Sequence, residues 1–196
     1  MLLRPLMGTT LAVLLTASAA LAAPTPPKPQ IVDPKGDSVG SRSDVDIVSV
    51  QYSTTGTGSG RSYVSKKLIV ALTLAGPPAS NGVTTYVVRS DTDSCGVIEF
   101  KWAPGTVGGG LIGDTTASFG SCKVDDDSTA FFAAKVKGST ATFEVALKPL
   151  KDITRGTVFS EFRAAVDVGD PVFGIFPGND SGLLDSASGD GTWVIP

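Results

Sequence analysis

From Val45 onward, apolar residues recur at every second position, and this alternation constrains the fold more than any other feature. In "KKLIVALTLA" Leu68, Val70, Leu72 and Leu74 fall on one face, and in "FFAAKVKGSTATFEVAL" Phe143, Val145 and Leu147 alternate with Thr142, Glu144 and Ala146. A period of two places one face of an extended strand against a core and the other toward solvent. No segment of twelve or more residues shows the 3.6 period of an amphipathic helix.

Strands are expected near Val45–Tyr52, Lys66–Leu74, Thr84–Arg89, Val97–Trp102, Thr129–Lys137, Thr140–Leu147, Val158–Val166 and Thr192–Ile195. Lys137-Gly138-Ser139 supplies a hairpin turn between two of them. The stretch "STTGTGSGRS" reads as a loop or a long hairpin connection. Its "GTGSG" and the glycine-rich "GTVGGGLIG" at 105–113 read as flexible loops, because they lack the Lys-Ser/Thr of a phosphate loop and open no helix. One helical turn is expected in "PLKDITRG", with Pro149 at its start and Gly156 at its end. Strands every 8–15 residues, without helices, predict an all-β chain: a single antiparallel β-sandwich, Ig-like or jelly-roll-like.

The N-terminus does not belong to that pattern. Arg4 precedes the apolar run "LAVLLTASAALA", and Ala20-Leu21-Ala22 offers an A-x-A cleavage site, so residues 1–22 read as a secretory signal peptide. Residues 23–30 contain "PTPPKPQ", a Pro-rich leader of polyproline II type, and residues 31–196 form the sandwich domain. The expected location is secreted, extracellular, with no membrane span once the signal is removed. In that oxidising setting the chain's two cysteines, Cys95 and Cys122, are expected to form one disulfide. A monomer is expected.

Composition then removes whole classes of chemistry. The chain has no histidine, which excludes Ser-His-Asp and Cys-His nucleophile systems and ordinary His-ligated metal sites. Its net charge is −3, and one unit more negative when Arg4 leaves, so nucleic acid is not an expected partner. Hydrolysis by paired carboxylates needs no histidine, and Glu99, Glu144 and Glu161 are the glutamates available to it. Two of them take outward strand positions, so an enzyme is not expected, and a carboxylate-based extracellular hydrolase is the alternative.

Aspartate-rich turns are the remaining chemical signal, because hard oxygen ligands suit calcium. "DPKGD" with Asp44 and Asp46 flanks the first strand. "DTDSCG" starts like an EF-hand loop at Asp91 and Asp93, but Cys95 and Trp102 occupy its fifth and twelfth positions. "DSASGDGTW" carries Asp185 and Asp190 before the last strand. First and last strands of a sandwich are often neighbours, which would bring Asp33 and Asp37 to Asp185 and Asp190 as a calcium site. The competing reading makes each cluster an independent Asx-turn. For sugar binding, the aromatic candidates are Tyr52, Tyr63, Tyr86, Trp102 and Trp193, with Trp102 the best single candidate beside "APGTVGGG"; a core role competes for it. Asn179-Asp180-Ser181 matches the N-glycosylation triplet.

Taken in order, "DPKGD" before "VDIVSVQY", "KKLIVALTLAGPP", "YVVRSDTD", "VKGSTATFEVALKPL" and "DGTWVIP" resemble DOMON-like and family 9 carbohydrate-binding-module-like β-sandwiches of secreted bacterial proteins. The likeness extends over most of residues 31–196. It implies a non-catalytic module of a kind in which some members bind sugars, haem or calcium. The function expected from the sequence is therefore a secreted binding module for an extracellular glycan or protein partner, with calcium as the candidate cofactor.

Overall fold

A computed structural model describes residues 27–107, 110–118, 121–123, 132–168 and 182–196. The expected signal peptide and the Asn179 triplet lie outside the described residues.

Among the described residues, ten strands make two antiparallel five-stranded sheets. They are β1 (Ile31–Val32), β2 (Ile47–Thr57), β3 (Val64–Leu74), β4 (Thr84–Thr92), β5 (Gly96–Val107), β6 (Gly110–Ser118), β7 (Phe132–Lys137), β8 (Thr140–Ala146), β9 (Val158–Val168) and β10 (Leu183–Val194). One sheet runs β1-β2-β3-β8-β7 and the other β10-β9-β4-β5-β6. The alternation in the sequence supplies the facing surfaces. Leu68, Val70, Leu72 and Leu74 of β3, with Ala141, Phe143 and Val145 of β8, meet Tyr86, Val88, Phe100, Phe159 and Phe162 of the second sheet in one core. Rings cross the interface: Tyr52 meets Phe162 edge-on at 5.0 Å, and Phe100 stacks on Phe143 at 6.0 Å. The all-β sandwich is therefore the fold.

Two bulges reconcile the pattern with the core. Ile47 and Val50 are three residues apart, yet both are buried, because the register of β2 against β3 shifts between Ile47 and Ser49. Phe159 and Phe162 both point inward because Glu161 between them takes the left-handed conformation, φ 49°. An extra residue of this kind resets which face a strand presents.

The disulfide joins Cys95, in the turn between β4 and β5, to Cys122 after β6, closing a separation of 27 residues. Ser121 reinforces the staple, donating to the Cys95 carbonyl from its amide (3.1 Å) and its hydroxyl (2.7 Å).

Three expectations need correction. The tract at 105–113 is largely strand: β5 runs on to Val107, and β6 starts at Gly110 and pairs with it. "STTGTGSGRS" is the connection of a long β2–β3 hairpin, but its first half is strand, since β2 continues to Thr57 before a 3-10 turn at Gly60–Ser62. Conversely, "PLKDITRG" makes successive turns rather than a helix. Leu150 donates to Leu147 O and Ile153 to Leu150 O, each a three-residue step.

Candidate functional site

The two ends of the sandwich domain meet. β1 pairs with β2 through Ile31–Val50 and Val32–Ser49, and the Asp33 amide extends that pairing to the Val48 carbonyl at 2.9 Å. Asp33 is thereby fixed at the strand's end. Pro34 and Lys35 carry the chain into a turn that Gly36 closes at φ +91°, a conformation that favours glycine. The Gly36 amide donates to Asp46 Oδ2 at 2.8 Å, which folds the loop back and delivers Asp37 beside Asp33. From the far end of the chain, β10 brings Asp185. One of its oxygens, Oδ2, accepts the Ile47 amide at 2.6 Å, and Oδ1 accepts the Ser186 amide at 2.9 Å.

Among the described residues, Asp33, Asp37 and Asp185 form the one group able to converge on a metal, each offering an oxygen within 4.8 Å of the others. That spacing suits calcium: two oxygens on opposite sides of one ion at about 2.4 Å are at most about 4.8 Å apart. Asp46 completes the acidic surroundings. It is 3% exposed, and its Oδ1 and the Asp33 Oδ2 are buried without a hydrogen-bond partner among the described residues. Buried carboxylate oxygens left without a donor are costly unless a proton or cation serves them.

The electrostatics agree. Burial raises the Asp33 pKa from 3.8 to about 6, and the charges of Asp37, Asp185 and Asp46 add to it. Asp185 is also raised, by burial first and by Asp37 and Asp46, against the lowering effect of the two amides it accepts. The charges of Asp37, Asp46 and Asp185 that raise these two carboxylates are all negative. Such a cluster favours either a retained proton or a bound cation.

The sequence placed four aspartates here, and three come together. Asp190 is exposed on β10, five residues beyond Asp185 and therefore roughly 15 Å along the strand. Asp46, named with the first aspartate cluster but not among the four expected ligands, stands closer. Lying between the inward residues Val45 and Ile47, it reads as an outward position, whereas the turn closed by Gly36 covers it. Asp44 pairs with Arg42 at 2.6 Å. In the "DTDSCG" tract, Asp93 Oδ1 accepts the Val158 amide at 3.0 Å, so it serves the turn.

Trp102 is not a surface platform. It is 2% exposed, 5.2 Å from Tyr86 and 6.2 Å from Phe143, because its strand continues through the predicted loop and its phase points inward. Tyr52 and Tyr86 are wholly buried and Trp193 packs on the core, so among the described residues no sheet face presents an exposed aromatic pair. Tyr63 alone of the five lines an open groove, at the other end of the molecule. Of the glutamates, Glu144 sits on β8 in one sheet, while Glu99 and Glu161 sit on β5 and β9 in the other. Each is ion-paired: Glu144 with Lys67 (3.2 Å) and Lys135 (2.8 Å), Glu99 with Lys101 (3.1 Å), Glu161 with Arg163 (3.2 Å).

No helix among the described residues is long and apolar enough to cross a membrane. Compared with models of protein families and with curated protein sequences, the chain matches none.

Proposed function

We propose that this chain is an exported, non-catalytic β-sandwich module that binds an extracellular glycan or macromolecular partner, with its two chain ends clasped by a calcium ion. The observation that carries the reading is the convergence of Asp33, Asp37 and Asp185 within 4.8 Å. The orphaned oxygens of Asp33 and Asp46 support it independently. Calcium is the fitting ion because it accepts six to eight oxygens in flexible geometry, and water or backbone carbonyls can supply those the carboxylates do not.

In this reading the ion is structural. It holds the loop after β1 against the start of β10, so that the edge strand cannot peel from β2. The remaining surfaces are then free to serve recognition.

Thermal unfolding in excess calcium and in chelator tests the ion. Saturation at a hundredfold excess over Kd stabilises the folded state by roughly 2.7 kcal/mol, a shift of several degrees. The shift disappears in an Asp33→Asn/Asp37→Asn variant. Coincident curves for the natural chain would remove calcium from the proposal.

A further inference from the structure

We propose that a basic groove at the opposite end of the sandwich is the recognition site, and that its ligand is an acidic polysaccharide bearing uronate carboxylates. This inference deepens the binding-module reading and rests on it. The groove has a volume of about 670 Å³ and lies where β2 turns into β3 and where β8 and β10 end. β2, β3 and β10 each run the length of the sheets from the aspartate cluster to this groove. Eleven residues at about 3.3 Å each separate the two ends by roughly 30 Å.

Its charge is the first argument. Arg61, Lys66, Lys148, Lys151 and Arg155 line it, and no aspartate or glutamate does so among the described residues. Five of the chain's 16 basic residues therefore gather in one concavity of a protein whose net charge is −3. Lys151 has an interaction of its own, so the binding role falls to the other four. A concave surface lined by one sign of charge concentrates ligands of the opposite sign.

The second argument is that the walls are preformed. Arg155 Nη1 donates to the Arg61 carbonyl at 2.6 Å and ties the turn after β8 to the 3-10 turn before β3. The remaining donors of its guanidinium fork stay available for a carboxylate. The Leu147 amide bonds the Lys66 carbonyl at 2.9 Å and fixes the spacing of those two segments. The lining also includes the exposed Val64 and the partly exposed Tyr63, with Leu150, Ile153 and Ile195 buried at 2% or less.

Those features select among polyanions. The single partly exposed ring of Tyr63 suits the C–H face of a pyranose, while the cations lining the groove take its carboxylate. Nucleic acid packs phosphates far more densely, one per about 1.7 Å of duplex. A single-stranded form needs successive aromatic rings, and the groove has one.

Polygalacturonate is the probe, titrated calorimetrically in chelator-containing buffer so that calcium bridging plays no part. The natural chain binds it, does not bind the fully methyl-esterified polymer, and loses affinity as salt rises. A Lys66→Ser/Lys148→Ser variant weakens binding about tenfold or more with an unchanged unfolding temperature, whereas Asp33→Asn/Asp37→Asn binds as the natural chain does. Equal binding of the esterified polymer, indifference to the lysine substitutions, preference for polyglutamate or duplex DNA, or no binding at all each overturns the inference. None of those outcomes alters the calcium-dependent unfolding shift, so failure of the groove is distinguishable from failure of the clasp.

Discussion

The backbone amide of Ile47 donates to Asp185 Oδ2 at 2.6 Å across 138 residues of sequence. One carboxylate thereby joins the first long strand of one sheet to the last strand of the other. Asp185→Ala would leave that buried amide without an acceptor and cost about 1–3 kcal/mol in denaturant unfolding. Asp185→Asn keeps an oxygen for the amide and removes a negative charge from the cluster. In chelator it should unfold no earlier than the natural chain, and in calcium it should gain less. An asparagine variant as damaged as the alanine one would show that charge, not acceptance, matters at this position.

Asp33 gives the cluster a pH signature. Its pKa is about 6 in the folded state against 3.8 for the free side chain. A raised carboxyl pKa means the folded state holds the proton more tightly, so its stabilising contribution is complete below about pH 4. That contribution is lost as pH climbs through about 6. In chelator, the natural chain should therefore lose stability relative to Asp33→Asn between about pH 4 and pH 6. Calcium competes with the same protons, so the calcium-induced rise in unfolding temperature should grow over that interval. Scanning calorimetry at half-unit pH steps checks both, and a calcium effect constant from pH 4 to 7 would contradict the assignment.

The Cys95–Cys122 link makes a separate contribution, remote from the cluster. Its 27-residue span predicts a loss of about 3–4 kcal/mol when both cysteines become alanine, on the chain-entropy account. Reductant should reproduce most of the loss in the natural chain and none in the double variant. The calcium shift should survive in both, because Cys95 lies in the β4–β5 turn and not at the clasp.

How much of this was readable beforehand follows from what each residue depends on. β3 and β8 are legible because their inward residues repeat every second position without interruption. The meeting of Asp33, Asp37 and Asp185 is legible too, since it needs only that the first and last strands be neighbours. β6 was not, because "GLIGDTTAS" carries the glycines of a loop and is held as strand by its ladder with β5. Asp190 was misplaced for a geometric reason: carboxylates five residues apart on an extended strand cannot share one ion. For Trp102 the core role that competed with sugar binding is the one the structure bears out. The choice between them depends on where β5 ends, which a local pattern does not settle.

Within the core, size and polarity should separate cleanly. Trp102→Ala removes a ring that touches both sheets and should cost about 3–5 kcal/mol. Tyr52 is equally buried, but its hydroxyl and the Ser90 Oγ that lies near enough to influence it lack well-formed hydrogen bonds among the described residues. Tyr52→Phe should then be neutral or slightly stabilising, since it removes a polar atom poorly served in the interior. A loss above about 1 kcal/mol in urea unfolding would mean that the Tyr52–Ser90 pair is a working hydrogen bond.

Gly189 links edge-strand packing to the clasp. A Cβ at this position would overlap the Gln30 carbonyl oxygen, directly before β1, so Gly189→Ala forces the N-terminal strand away from β10. Asp33 follows β1 by one residue and must move with it. The substitution should therefore lower stability and also weaken the calcium response. Gly138→Ala is the control: it has a positive φ of 61° but open space around its Cβ, in the β7–β8 turn. Its strain should cost about 1–2 kcal/mol and leave the calcium-induced shift intact. Parallel melts of both variants, with calcium and with chelator, decide the matter: a full calcium shift in Gly189→Ala would mean that β1 does not position Asp33.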